Sequence, residues 1–138
     1  MGKTIGIVGS RRRDRNVDLN ACMTVFIDIY EPGDRIVSGG CPKGGDRFAE
    51  KIAKMLGLTI TIHYPDWESN GRAAGFIRNT KIAKDCDILI AVVSQDRKGG
   101  TEDTIRKVEA MGKKVVIVQP IELPKSSDDP DDPDDIYG

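Results

Sequence analysis

The residues of this sequence that are best suited to chemistry are glycines and cations that follow short apolar runs. The run 36–38 leads into a loop with four glycines within seven residues, and the loop opens onto an amphipathic helix predicted at 48–56. So many glycines are costly in backbone entropy, which indicates positive φ angles or close approach to a ligand. Free N–H groups at a helix N-terminus suit an anion, most often phosphate. The glycines are Gly39, Gly40, Gly44 and Gly45.

This loop is neither Gly-x-Gly-x-x-Gly nor a Walker loop, so a tight turn that binds nothing is the alternative. Two further glycine-containing segments, 9–11 and 99–101, also follow apolar runs and could bind an anion in the same way. The first supplies a glycine, a hydroxyl group and a guanidinium suited to two parallel phosphate contacts, although a solvated basic loop is the alternative. The second opens a helix with two glycines and a threonine that can both cap and donate. The residues are Gly9, Ser10, Arg11, Gly99, Gly100 and Thr101.

Several side chains near these loops could hold a phosphorylated sugar and its base. Lys43 would join Arg11 at the phosphate. Asp46 would either cap the helix or bind ribose hydroxyls. Trp67 would either stack on a base or cover the sheet edge, and Arg72 would close over the ligand beside it.

Arg78 and Asn79 begin another predicted helix, where a cation and an amide could both face the ligand. Cys41 lies inside the first glycine loop, but no base is assigned to it, so a small turn residue is preferred over a nucleophile. The three cysteines are scattered without metal-ligand spacing, which favours free thiols in a reducing cytosol and predicts no metal site. No cofactor is required by any of these patterns.

Strands and helices alternate along the chain. This alternation predicts an α/β fold with a three-layer, Rossmann-like, doubly wound sheet of about five parallel strands in the order 3-2-1-4-5. Ligands of such sheets bind at the carboxyl ends of the strands. Strands are predicted at 3–8, 35–38, 58–63, 87–93 and 115–118, and the further helices at 17–30, 74–84 and 101–111. Met111 is predicted to face inward, and 64–74 is predicted to be irregular.

The 138 residues suit one domain, predicted at 1–122, followed by an acidic tail at 123–138. The net charge is −1, and without the six aspartates of the tail it would be +5. A mildly basic domain fits an anionic small molecule, whereas its 5% aromatic content makes nucleic acid an unfavoured partner. No run approaches the roughly 20 apolar residues of a membrane span. A cytoplasmic location is therefore predicted.

Six motifs occur in order along 3–118, and together they resemble the YspA/YpsA-related branch of the SLOG superfamily. That superfamily also holds the Lonely Guy phosphoribohydrolases and the DNA-processing protein DprA. The resemblance implies a nucleotide or nucleotide-derived ligand at the strand carboxyl ends, and a homodimer or higher homo-oligomer. The motifs are 9–11, 38–46, 66–67, 71–75, 78–79 and 100–101.

The resemblance leaves catalysis open. Lonely Guy enzymes cleave the N-glycosidic bond of a nucleoside 5′-monophosphate with an arginine and a glutamate, and Arg78 matches the arginine by position. Thr104 stands in the place of the glutamate, while Glu102 points about 200° away around the helix. A nucleotide sensor or binding domain is therefore the first hypothesis. The second is an N-glycosidase that uses Arg78 and an unorthodox acid, namely Glu102, Asp66 or Glu68. DprA-like single-stranded DNA binding is the least favoured.

Overall fold

A computed structural model of the chain describes residues 2–120. The strands are β1 (Thr4–Gly9), β2 (Arg35–Ser38), β3 (Ile60–Ile62), β4 (Ile88–Val92) and β5 (Lys114–Val118). The helices are α1 (Asn16–Ile29), α2 (Gly45–Leu56), α3 (Trp67–Asn70), α4 (Ala74–Asp85) and α5 (Gly100–Ala110), and a 3₁₀ turn, Gly71–Ala73, joins α3 to α4. The predicted boundary after residue 122 and the acidic tail lie outside the described residues.

The five strands form one sheet in the order β3-β2-β1-β4-β5, and every neighbouring pair is parallel. Ile5 of the central strand lies beside Ile36 of β2 and Ile88 of β4, which sets the register. The structure therefore confirms the predicted α/β class, the parallel sheet and its strand order. Because all strands run the same way, the loops that follow them lie on one rim of the sheet.

Helices cover both faces of the sheet, as the doubly wound prediction requires. Successive strand side chains point to opposite faces, so Ile90 packs under α1 and α2, whereas Leu89 packs under α4 and α5. Phe26 and Phe48 fill the first core, and both are completely buried. This burial holds the helix N-termini in fixed positions above the rim.

The boundaries of the strands and of the long helices fall within three residues of the predicted ones. The segment after β3 is more regular than predicted, because it forms α3 and the 3₁₀ turn. The inward assignment of Met111 was wrong, because this residue follows the last residue of α5 and is 40% exposed. In α1, Ile27 is 61% exposed. Ile27 immediately follows the buried Phe26, so it turns by roughly 100° away from the core. Between residues 2 and 120, no helix has the length and apolarity needed to cross a membrane.

Candidate functional site

A cleft of about 760 Å³ opens at the carboxyl ends of the strands. The loops after β1, β2, β3 and β4 and the start of α4 line it, so segments far apart in sequence meet there. The cleft lies where ligands bind in doubly wound sheets. It brings together most of the predicted site residues, namely Gly9, Ser10, Arg11, Gly39, Gly40, Asp46, Trp67, Arg78, Asn79, Gly99, Gly100 and Thr101.

Five predicted site residues lie outside the lining of the cleft: Lys43, Gly44, Gly45, Arg72 and Glu102. Gly44 and Gly45 serve the packing of α2 against β1. A Cβ atom at Gly45 would lie 2.2 Å from the carbonyl carbon of Val8, and one at Gly44 would lie 2.4 Å from the carbonyl oxygen of Ser10. These two glycines therefore permit close packing of helix and strand.

The N-terminus of α2 already has an anion from the chain itself. The backbone N–H of Gly44 donates to the Asp14 carboxylate at 2.8 Å, and Arg47 Nε donates to the same oxygen at 2.6 Å. Asp14 thus takes the place that the sequence assigned to a phosphate at this helix start.

The N-termini of α1 and α3 are likewise capped by internal carboxylates. Asp18 accepts the N–H of Arg15 at 3.2 Å in a capping box, and Asp66 accepts the N–H of Ser69 at 3.1 Å. The start of α4 continues directly from the 3₁₀ turn. Consequently, the N-termini of α1, α2, α3 and α4 do not offer the cleft an anion site comparable to that of α5.

The N-terminus of α5 differs, because no side chain of residues 2–120 accepts a hydrogen bond from its first backbone N–H groups. Its N-cap residue, Gly99, has a φ of 106°, and both Gly99 and Gly100 are exposed at the cleft wall. Glu102 in the first turn turns away and pairs with Arg97 at 2.9 Å. Of the helix starts on this rim, α5 is the one within residues 2–120 that offers uncapped backbone N–H groups to the cleft.

Within residues 2–120, four cationic side chains line the cleft, and they differ in whether a carboxylate pairs with them. Arg12 pairs with Asp96 at 2.8 Å, which holds the loops after β1 and β4 together. Arg11 and Lys98 line the same cleft without a salt bridge to any residue of the described range 2–120. These two side chains therefore give the mouth of the cleft a positive charge that no carboxylate of residues 2–120 pairs with.

Arg78 and Asn79 brace the two glycine loops against each other. Arg78 Nη1 donates to the carbonyl oxygen of Gly39 at 2.7 Å, and its Nε donates to Asn79 Oδ1 at 2.8 Å. Asn79 Nδ2 in turn donates to the carbonyl oxygen of Gly100 at 3.2 Å. The pair therefore fixes the width of the cleft as well as lining it.

Among the residues that the structure describes, Asp46 is the one carboxylate that lines the cleft. It lies inside α2 and does not cap it, because its oxygens accept from Ser38 Oγ at 2.9 Å and from the Cys41 N–H at 3.0 Å. Burial raises the pKa of Asp46, and the Cys41 N–H and the guanidinium of Arg78, 3.9 Å away, oppose that rise only in part. Asp46 thus shapes the first loop from beneath.

Two exposed aromatic rings line the wall of the cleft after β3. Trp67 is 60% exposed and Tyr64 is 66% exposed, although large aromatic side chains are usually well covered. A Cβ atom at Gly40, whose φ is 76°, would lie 2.5 Å from the Tyr64 ring. Gly40 therefore makes room for Tyr64, a contact between segments that no local pattern in the sequence indicates.

Sequence reasoning missed Arg12, Tyr64, Lys98 and Thr104 as lining residues. The signal for Lys98 was available, because it directly precedes Gly99. Thr104 is buried and its hydroxyl donates to the carbonyl oxygen of Gly100 at 3.3 Å, so this side chain brings a hydroxyl group to the cleft wall.

The three thiols differ in accessibility. Burial raises the pKa of Cys22 to about 12 and that of Cys86 to about 11, so both stay protonated. Cys41 is half-buried and lines the cleft. Within the described residues, no group of three His, Cys, Asp or Glu side chains is arranged to hold a metal ion.

Comparison with family models, with curated proteins and with solved structures finds no match for this chain. Its function is therefore argued from the cleft itself.

Proposed function

We propose that the chain binds a phosphorylated nucleoside in this cleft and acts as a nucleotide-binding or sensing domain. The phosphate lies on the N-terminus of α5, at Gly100 and Thr101, with the cations of Arg11 and Lys98 beside it. The observation that carries the proposal is the start of α5, which no side chain of residues 2–120 caps. It lies in a cleft that also holds Arg11 and Lys98, neither of which has a salt bridge within that range.

Three physical contributions favour an anion at that place. Backbone N–H groups donate to its oxygens, and the helix dipole contributes about 0.3–1 kcal/mol at an exposed site. Each hydrogen bond to a charged group contributes about 1.5–3 kcal/mol. A hydroxyl at Thr101 adds a further donor. A phosphate dianion uses all of these contributions at once, whereas an uncharged ligand uses few of them.

The aromatic wall supports a base at the other end of the ligand. Trp67 and Tyr64 expose most of their rings, and stacking of a base on such a ring is worth about 1–3 kcal/mol. The sugar then lies between the two ends, near the first glycine loop. This arrangement agrees with the ligand that the SLOG-like motifs imply, and we propose that the chain is related to the SLOG superfamily.

Titration calorimetry of the native protein with AMP, ribose 5-phosphate and adenosine tests the proposal. AMP is expected to bind most tightly, ribose 5-phosphate more weakly, and adenosine most weakly because it lacks the phosphate. Arg11→Ala is expected to weaken AMP binding roughly 10- to 100-fold, from the loss of a charge-assisted contact. Adenosine binding as tightly as AMP, or no AMP binding at millimolar concentration, would refute the proposal.

A second candidate function is hydrolysis of the N-glycosidic bond, in which water and a nucleoside monophosphate give ribose 5-phosphate and the free base. The observation that favours it is the pair of Asp46, with its raised pKa, and Arg78, 3.9 Å apart in the cleft. A carboxyl group of raised pKa can protonate the departing base. Release of free base that Asp46→Asn and Arg78→Ala both abolish would establish this function over simple binding.

A further inference from the structure

Three large apolar side chains are exposed at the C-terminal ends of α1 and α2. Ile27 is 61% exposed, Met55 is 64% exposed and Leu56 is 45% exposed. The two helices pack on the same core and touch each other, and each returns the chain from the rim with the cleft to the opposite edge of the sheet. The outer surface of these two helices, the α1/α2 face, therefore has an apolar end far from the cleft.

The charges beside this apolar end are divided between the two helices. Asp28 and Glu31 are exposed at the end of α1, whereas Lys51 and Lys54 are exposed on the last two turns of α2, together with one acid, Glu50. None of these five side chains has a salt bridge within residues 2–120. Apolar patches with a polar rim are typical of protein–protein contacts. Because the acidic and the basic part belong to one surface, that surface is complementary to itself in charge.

We propose that the α1/α2 face is the contact surface of a homodimer, in which α1 of each copy lies over α2 of the other. A two-fold axis that runs parallel to the helices in the plane of contact produces this pairing twice. It brings the apolar ends of all four helices together and places Asp28 and Glu31 opposite the lysines of the second copy. The cleft opens at the other edge of the sheet, so the dimer is independent of the proposed function.

The size of the α1/α2 face predicts a weak, reversible dimer. The helices have 14 and 12 residues, so the face is about 20 Å long at about 1.5 Å per residue. It is about 20 Å wide, because packed helix axes lie about 8–10 Å apart and each helix is about 10 Å in diameter. The contact is thus about 400 Å² per copy and about 800 Å² in total, which is the class of weak contacts. We expect a dissociation constant of about 0.01–1 mM.

Sedimentation equilibrium of the full chain between about 0.01 and 2 mM measures the dimer, and charge reversal identifies its surface. Lys51→Glu/Lys54→Glu makes both helices acidic there, and Asp28→Lys/Glu31→Lys makes both basic. Each variant alone is expected to dimerise roughly 10-fold more weakly than the native protein, because like charges then face each other. An equimolar mixture of the two variants is expected to regain the native affinity, since every α1 then faces an α2 of opposite charge.

Two methionine variants test the apolar part of the contact. Met55→Ser is expected to weaken the dimer roughly 10-fold, because its side chain is buried only in the dimer. Met111→Ser is the matched control, since Met111 is also exposed but follows α5 on the opposite face of the sheet. Its dimer is expected to stay within about twofold of the native affinity. Urea unfolding checks that every variant is folded.

The outcomes decide between surfaces. A mixture that dimerises no better than either charge variant alone would overturn the pairing of α1 with α2. Equal weakening by Met55→Ser and Met111→Ser would remove the contact from the α1/α2 face. A native protein that stays monomeric up to about 2 mM would overturn the homodimer and leave this face to a different protein. Because the cleft is remote from the face, failure of AMP to bind any of these proteins would refute the proposed function and not the dimer.

Discussion

Gly100→Asp is the substitution that tests the open start of α5 most directly, because it gives this helix the internal carboxylate that α1, α2 and α3 already have. The position accepts a side chain. Gly100 is exposed, its φ lies outside the left-handed region, and the nearest atom to an added Cβ would be Asn79 Nδ2 at 3.9 Å. An aspartate in the first turn also suits the helix dipole, by about 0.3–1 kcal/mol. The variant is therefore expected to fold with unchanged or slightly higher stability.

Its effect on binding can be worked out from Coulomb's law. Two unit charges about 4 Å apart interact by about 1 kcal/mol in water and by about 4 kcal/mol at the effective dielectric constant near a protein surface. A phosphate dianion therefore loses about 2 kcal/mol or more beside the new carboxylate. That loss corresponds to roughly 30-fold weaker AMP binding.

Titration calorimetry and urea unfolding of four proteins give the answer: native, Gly100→Asp, Gly100→Asn and Asn20→Asp. Asparagine has the same size without the charge, so Gly100→Asn is expected to stay within about threefold of the native affinity. Asn20 is exposed in α1 and outside the cleft lining, so its variant controls for the added charge. Equal AMP affinity in Gly100→Asp and Gly100→Asn would refute the assignment of the phosphate to α5.

Three further outcomes are expected. Cys41 should be the fast-reacting thiol of the native protein towards a disulfide reagent, and saturating AMP should slow it; a rate unaffected by AMP would place the ligand elsewhere. Asp18→Ala should cost about 3–5 kcal/mol in urea unfolding, because the buried guanidinium of Arg13 loses its partner at 3.0 Å, whereas the apolar pair Arg13→Met/Asp18→Leu should cost much less. Burial raises the pKa of Asp34, but hydrogen bonds, led by that of the Lys3 ammonium, outweigh it and leave this pKa lowered. The folded pKa thus lies below the unfolded value of about 3.9, so this carboxylate stabilises the fold above that pH. The stability should be lost as the pH falls through the folded pKa, and Asp34→Asn should flatten that dependence in unfolding experiments run between pH 2 and 6.

The fold could be predicted from the sequence because its signals are local. The unbroken apolar run 88–93 indicates a strand buried on both faces, and regular alternation of strands and helices leaves little choice but a parallel sheet. The rim position of Arg11, Trp67 and Gly100 followed from that topology. Placement on a rim needs only the order of elements, which is why these residues were found.

Whether a given side chain is available to the cleft depends on contacts with residues far away in the sequence, which no local sequence pattern shows. Tyr64 reaches the cleft because Gly40 leaves room for its ring, and the two residues are 24 positions apart. Arg12 is committed to Asp96, 84 positions away, while its neighbour Arg11 has no such partner within residues 2–120. The sequence favours Arg11 over Arg12 because Arg11 directly follows Gly9 and Ser10, but it does not indicate the distant carboxylate of Asp96 that pairs with Arg12.

The two glycine loops show why composition alone does not identify an anion site. Both place glycines at a helix N-terminus, and both helix starts have an N-cap glycine with a positive φ. At α2, however, the backbone N–H of the N-cap residue donates to the carboxylate of Asp14, which lies 30 positions earlier in the sequence. This helix start therefore has an anion from within the chain. At α5 the nearby acid Glu102 is drawn away by Arg97, whose own φ of 54° is uncommon for a residue other than glycine. The second acid of the first turn, Asp103, pairs with Lys107 at 2.8 Å. The loop after β1 thus supplies a carboxylate to the N-cap amide of α2, whereas no side chain of residues 2–120 caps α5, and this difference leaves α5 available to a ligand.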